Sequence, residues 1–171
     1  MAVAAGIMVP HPPLIVPDVG RGQEILIKDT IKAYQEAAGM AAELKPDTIV
    51  VISPHAVMYA DYFHVSPGKE ARGDFGRFMA PQIGVEAGYD EAFVRELDRL
   101  CGDDDFPMGT EGEREKELDH GTLVPLYFIN QHYRDYKLVR IGGSGLSFAD
   151  HYRAGRYIAR AAENLGRSVF I

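Results

Sequence analysis

Three histidines stand where the chain around them is either stiffened or turned. His11 lies in Pro10-His-Pro-Pro13, directly after the apolar run Val3–Val9; His55 closes Ser53-Pro-His55, directly after the β-branched run Thr48–Ile52; His120 lies in Asp119-His-Gly121. A proline fixes φ and narrows the freedom of its neighbours, so the first two imidazoles are held on short, stiff connectors. Two neutral imidazoles at equivalent ends of two buried strands could converge on one ion. With a carboxylate they would form the facial set that leaves positions free on Fe(II), and with a water the same donors suit Zn(II). Asp18, Asp61 and Asp119 are the carboxylates within reach of that idea, and the spacing selects none of them. His120, at a helix start behind an acidic loop expected to be solvated and mobile, suits a substrate-facing acid, base or hydrogen-bond donor. His64 reads as a satisfied core residue, and His132 and His151 as solvent-facing residues in helical surroundings.

These side chains need a frame, and the periodicity supplies one. Residues 3–9 read as a strand. Ile27, Ile31, Tyr34, Ala38 and Ala41 then recur at helical spacing, and Pro46 ends that helix. The run 48–52 suits a strand covered on both faces, which is the signature of a parallel sheet. A short strand at 62–65, a glycine-rich loop through Gly68, Gly73 and Gly76, and a strand near 83–85 follow. Next come a helix over about 90–101, a helix capped by Thr122 with Pro125 in its first turn, a strand at 137–141, a helix at 148–165 and a strand at 168–171. Alternation of this kind predicts an α/β fold: a mainly parallel central sheet with helices on both faces. In such sheets ligands gather at the carboxyl ends of the strands, where His11 and His55 fall.

Composition narrows the function classes. The chain has 171 residues, 46% hydrophobic and 25% charged, enough for one domain with a sizeable core. With 18 basic against 25 acidic residues and a net charge of −7, it lacks the electrostatic footprint of a nucleic-acid binder. One cysteine excludes an internal disulfide and a cysteine-rich zinc site. No stretch reaches the ~18 apolar residues of a membrane span, and no basic leader precedes the first apolar run. The expected location is the cytoplasm, and a homo-oligomer is left open. Gly142-Gly-Ser-Gly145 fails two tests: Phe148 stands where a dinucleotide loop needs glycine, and Leu146 where a nucleophile elbow needs it.

Four motifs in order, Pro-His-Pro-Pro at 10–13, Val50–Phe63 around His55, Asp119–Leu126 and Arg140–Ser147, together resemble the catalytic subunit of class III extradiol ring-cleavage dioxygenases, the LigB-like superfamily with its Memo-like relatives. The resemblance spans the whole chain. It implies a LigB-like α/β domain over 1–171 and a non-haem Fe(II) held by two histidines and a glutamate. It also implies a catecholic substrate and O2 as reactants. His11 and His55 match the metal-binding histidines, and His120 matches the histidine that works beside the substrate. The family's further acid/base histidine and its glutamate ligand would follow the last strand, beyond Ile171, so the domain reads as cut at its carboxyl end. A Memo-like scaffold that binds metal or ligand without oxygenation, and a Zn-dependent hydrolase, are the two competing expectations.

Overall fold

The computed structural model describes residues 2–171. Its elements are β1 (Val3–Ala5), α1 (Pro17–Gly20), α2 (Lys28–Leu44), β2 (Thr48–Ser53), β3 (Phe63–His64), β4 (Glu70–Phe75) and β5 (Ala80–Tyr89), then α3 (Glu91–Asp103), β6 (Met108–Gly109), α4 (His120–Ile129), β7 (Lys137–Gly142), α5 (Phe148–Leu165) and β8 (Val169–Phe170). Six strands form one sheet in the order β1-β8-β2-β7-β5-β4, and β3 pairs with β6 beside it. Every pairing in the main sheet is parallel except β4 with β5 at the edge. The expected α/β fold with a mainly parallel sheet is therefore present.

Alternation along the central strands divides the core. Ile49 and Leu138 point to the layer built by Tyr34, Ala38 and Ala41 of α2 and Leu123, Leu126 and Phe128 of α4. Val50, Val139 and Ile141 point to the other, with Phe93 and Leu97 of α3 and Ile158 and Ala161 of α5. A side-chain period of two makes successive residues face opposite layers, which is why the run 49–52 is apolar without a break and 138–141 is apolar but for Arg140. Helix α4 is apolar on all sides because it is enclosed on all sides. Cys101, at the end of α3, is fully buried, and that burial pushes its thiol up to about 12, with Asp98 and Asp104 adding to it.

Three expectations are corrected. The first strand stops at Ala5 rather than Val9: its ladder to β8 carries two residue pairs and ends with the Ile171 N–H on the Ala5 carbonyl and the Ile7 N–H on the Ile171 carbonyl, and the prolines beyond have no N–H to offer a ladder. The glycine-rich stretch is a β-hairpin, β4 with β5, not a loop. Gly73 is small because the Leu118 backbone crosses it, and a Cβ there would meet the Leu118 carbonyl at 2.7 Å. The α4 cap is Asp119 rather than Thr122, which moves Pro125 from the first turn into the body of the helix.

Candidate metal centre

His11 and His55 leave the carboxyl ends of β1 and β2 and meet. Their Nε2 atoms are 3.0 Å apart and their rings are close to perpendicular, at 76°. His120, the first residue of α4, brings its ring to 4.0 Å from that of His55 and 5.7 Å from that of His11, centroid to centroid. One nitrogen from each of the three lies within 4.8 Å of the others, and this is the one such cluster of metal-competent side chains among the described residues.

Each histidine is aimed by groups behind it. The His11 loop is tied to α2 by the Tyr34 hydroxyl, which donates to the Pro10 carbonyl. The chain then winds into a short turn in which the Ile15 and Val16 amides donate to Pro12 and Pro13. At the end of β2, buried Ser53 does two things: its Oγ accepts the His55 amide at 3.1 Å and donates to Asp119 Oδ1. Asp119 in turn caps α4, accepting from the Thr122 amide at 3.1 Å and the Thr122 hydroxyl at 3.0 Å. One serine thus links the backbones that carry His55 and His120. Gly121 permits this proximity, since a Cβ there would meet Ser53 Oγ at 2.5 Å and the His55 ring at 3.2 Å.

The donor set fits a divalent transition metal. Two bonds of about 2.0–2.1 Å meeting at a right angle put their nitrogens about 3 Å apart, and at a tetrahedral angle about 3.3–3.4 Å apart. The His11–His55 spacing matches the first case. The same spacing suits an N–H···N bond between complementary tautomers, so the convergence of the third ring adds what the distance alone does not. Burial holds the His120 imidazole below its ordinary value, and His55, His11 and Arg77 push the same way against the upward pull of Asp119. It is therefore a neutral ring, with Phe78 edge-on at 5.4 Å.

No carboxylate joins the cluster among the described residues. Asp119 is engaged by Ser53 and Thr122, Asp18 accepts from Gln82, and Asp61 is exposed. The remaining histidines are elsewhere. His64 is fully buried and bonded to the Glu111 carbonyl. His151 is exposed on α5, where its ring meets Phe63. His132 is exposed in a turn after α4 rather than in a helix, bonded to Gln35. The Gly142–Gly145 turn is no anion nest: the Gly143 and Gly145 amides are taken by Ser53 and Tyr59 carbonyls.

A largely apolar cavity of about 500 Å³ opens beside His11, lined by Val9, Tyr34, Val51, Pro125 and Phe128 among others. A larger polar groove, about 1520 Å³, runs along β5 and touches none of the three histidines. The first cavity is the one next to the chemistry. No helix of the described residues is long and apolar enough to cross a membrane.

Comparison with known proteins adds the following. Residues 5–171 match the family described as the catalytic LigB subunit of aromatic ring-opening dioxygenase. The chain is similar to Protein CA_C1420 of Clostridium acetobutylicum, 37% identical over 172 aligned positions that cover 96% of this chain. The chain spans 37% of the length of that relative.

Proposed function

The chain belongs to the LigB family of catalytic subunits of aromatic ring-opening dioxygenases, and from that premise we propose that it is a non-haem Fe(II)-dependent extradiol dioxygenase that opens a catecholic ring with O2. The observation that carries the proposal is the meeting of His11 and His55 Nε2 at 3.0 Å, with His120 facing the same spot.

In this reading His11 and His55 hold the iron, and His120 is the catalytic residue beside the substrate. Fe(II) held there would supply open positions for the catechol oxygens and for O2. The protein's part is positioning and proton handling. His120, kept neutral by burial, accepts the proton of a phenolic O–H at its free ring nitrogen and returns it later, as a general base and then acid. The Asp119–Ser53 link fixes how far that nitrogen stands from the His55 side. The apolar cavity beside His11 excludes water and receives the flat face of the ring.

The test is anaerobic reconstitution with Fe(II), addition of a panel of catechols, then air. The expected result is a yellow ring-fission product that requires both His11 and His55; no product with any catechol, from the full-length protein that carries this domain, rejects the proposal. A second reading is favoured by one specific observation, that the cluster among the described residues is made of three histidines. Three histidines and a water are a known Zn(II) donor set, which would support hydrolysis instead. Elemental analysis of protein purified without chelators separates the two: iron supports oxygenation, zinc hydrolysis.

A further inference from the structure

The acidic stretch that precedes His120 is an exposed loop, as its composition suggests, yet it is tied down from within. Its carboxylates face water for the most part, but its backbone is gripped from inside at nearly every second residue. Fully buried His64, on β3, has Nδ1 at 3.0 Å from the Glu111 carbonyl and Nε2 at 3.4 Å from a Glu113 carboxylate oxygen. The Tyr59 hydroxyl donates to the Gly112 carbonyl at 2.6 Å, and Arg114 lies over the Tyr59 ring at 4.9 Å. Gly112 has φ +83°, a conformation that favours glycine, and a Cβ there would strike the Tyr59 hydroxyl.

Arg140, on β7, is the larger surprise. The residue is 1% exposed, its guanidinium has no carboxylate partner among the described residues, and it donates through Nη2 to the Glu115 carbonyl at 2.7 Å and through Nη1 to the Glu117 carbonyl at 2.8 Å. Its Nε has no partner among the described residues. A buried charge left without an opposite charge is costly, and a strand that needed only packing would carry an apolar residue here. The planar fork explains the choice: it spans two carbonyls two residues apart along an extended chain, which the point charge of a lysine cannot do. The next amide, Leu118, donates to the Arg72 carbonyl, and the residue after it is Asp119.

We propose that residues 111–118 are a strap whose anchors, His64 and Arg140, are positioning residues for His120, setting the aim of its ring at the spot His11 and His55 share. The inference rests on the reading of those three histidines as one centre. Asp119 is fixed from one side by Ser53 and from the other by the strap, so the ring of His120 is located by two independent constraints. His11 and His55 leave different strands and do not depend on the strap.

The test uses the 171-residue chain loaded with Zn(II), with 4-nitrocatechol as the probe, and the substitutions His64→Leu, His64→Asn and Arg140→Met. Three quantities are read: Zn(II) affinity, probe binding from its visible absorbance, and amide exchange over 111–122. His64→Leu and Arg140→Met are expected to speed exchange and weaken probe binding about tenfold, the scale on which supporting groups act, and to weaken Zn(II) binding less than probe binding, since His11 and His55 stay in place. His64→Asn, whose amide reproduces the Nδ1 donor, restores probe binding. Leu97→Ala, in the opposite layer, lowers the melting temperature without touching the probe, which separates positioning from general loosening. Faster exchange with parent-like probe binding overturns the proposal. Should both larger substitutions prevent folding, Tyr59→Phe carries the test: faster exchange with weaker probe binding supports the strap, and parent-like values on both overturn it. If the parent chain binds neither zinc nor probe, the functional reading fails. The strap is then judged by carbethoxylation of His120 in His64→Leu, where a faster rate supports it and an unchanged rate overturns it.

Discussion

Two connectors deliver histidines to the same centre by opposite means. The His11 loop is stiff because of what it is made of: three prolines, a short turn, and one tie from Tyr34 to the Pro10 carbonyl. The 111–118 strap is made of residues that would otherwise be mobile, and it is held by what surrounds it, above all His64 and Arg140. The first carries its order in adjacent residues; the second borrows order from strands far away in sequence. Rigidity written locally survives changes elsewhere, whereas borrowed rigidity exposes the site to distant substitutions.

The comparison can be broken or sharpened by experiment. Replacing both His11 and His55 by alanine should have the largest effect, a loss of at least about a hundredfold in metal affinity, beyond what losing a supporting group costs. Calorimetric titration with Zn(II) checks it; retained affinity would remove the two connectors' shared purpose. Ser53→Ala leaves Asp119 and the His55 amide short of a partner inside the protein, and should cost about 1–3 kcal/mol of stability by thermal or denaturant unfolding.

Tyr34→Phe removes the hydrogen bond that ties the proline loop to α2 and should cost about 1 kcal/mol. Burial raises the Tyr34 phenol above its ordinary 10.0, so its contribution is complete below that pH and declines as pH climbs through the raised folded value. The parent chain should therefore lose stability in strong alkali more steeply than Tyr34→Phe does, as pH-dependent melting would show. The smallest effect is expected of Pro12→Ala, about 0.4–1 kcal/mol through greater freedom of the unfolded chain. A larger loss would mean that the loop is fixed by contacts after all.

Reading order from sequence worked where order is local. The β-branched run 48–52 and the apolar strand near 138–141 announced the central pair β2 and β7, which are in register over six residue pairs. His11, His55 and His120 were visible because prolines, strand ends and a helix start flank them. The hairpin of β4 and β5 was hidden, since glycines that allow close backbone approach look like glycines that make loops. Ser53, Tyr34 and the two strap anchors were hidden for another reason: each acts on residues at least tens of positions away, apart from the Ser53–His55 contact. The one visible signal was Arg140 itself, a charge inside an otherwise apolar strand.

The burial of Cys101 has a practical corollary for handling the protein in air. Thiolate, not thiol, is what oxidants attack, and a fully buried sulfur held near 12 offers almost none. Oxidative ageing should therefore be recorded in thioethers: Met8, Met79 and Met58 are 99%, 72% and 61% exposed. Met8 lies three positions before His11 in the chain, so its conversion to sulfoxide, seen as an added oxygen in peptide mass spectra, would be an early mark of damage close to the centre.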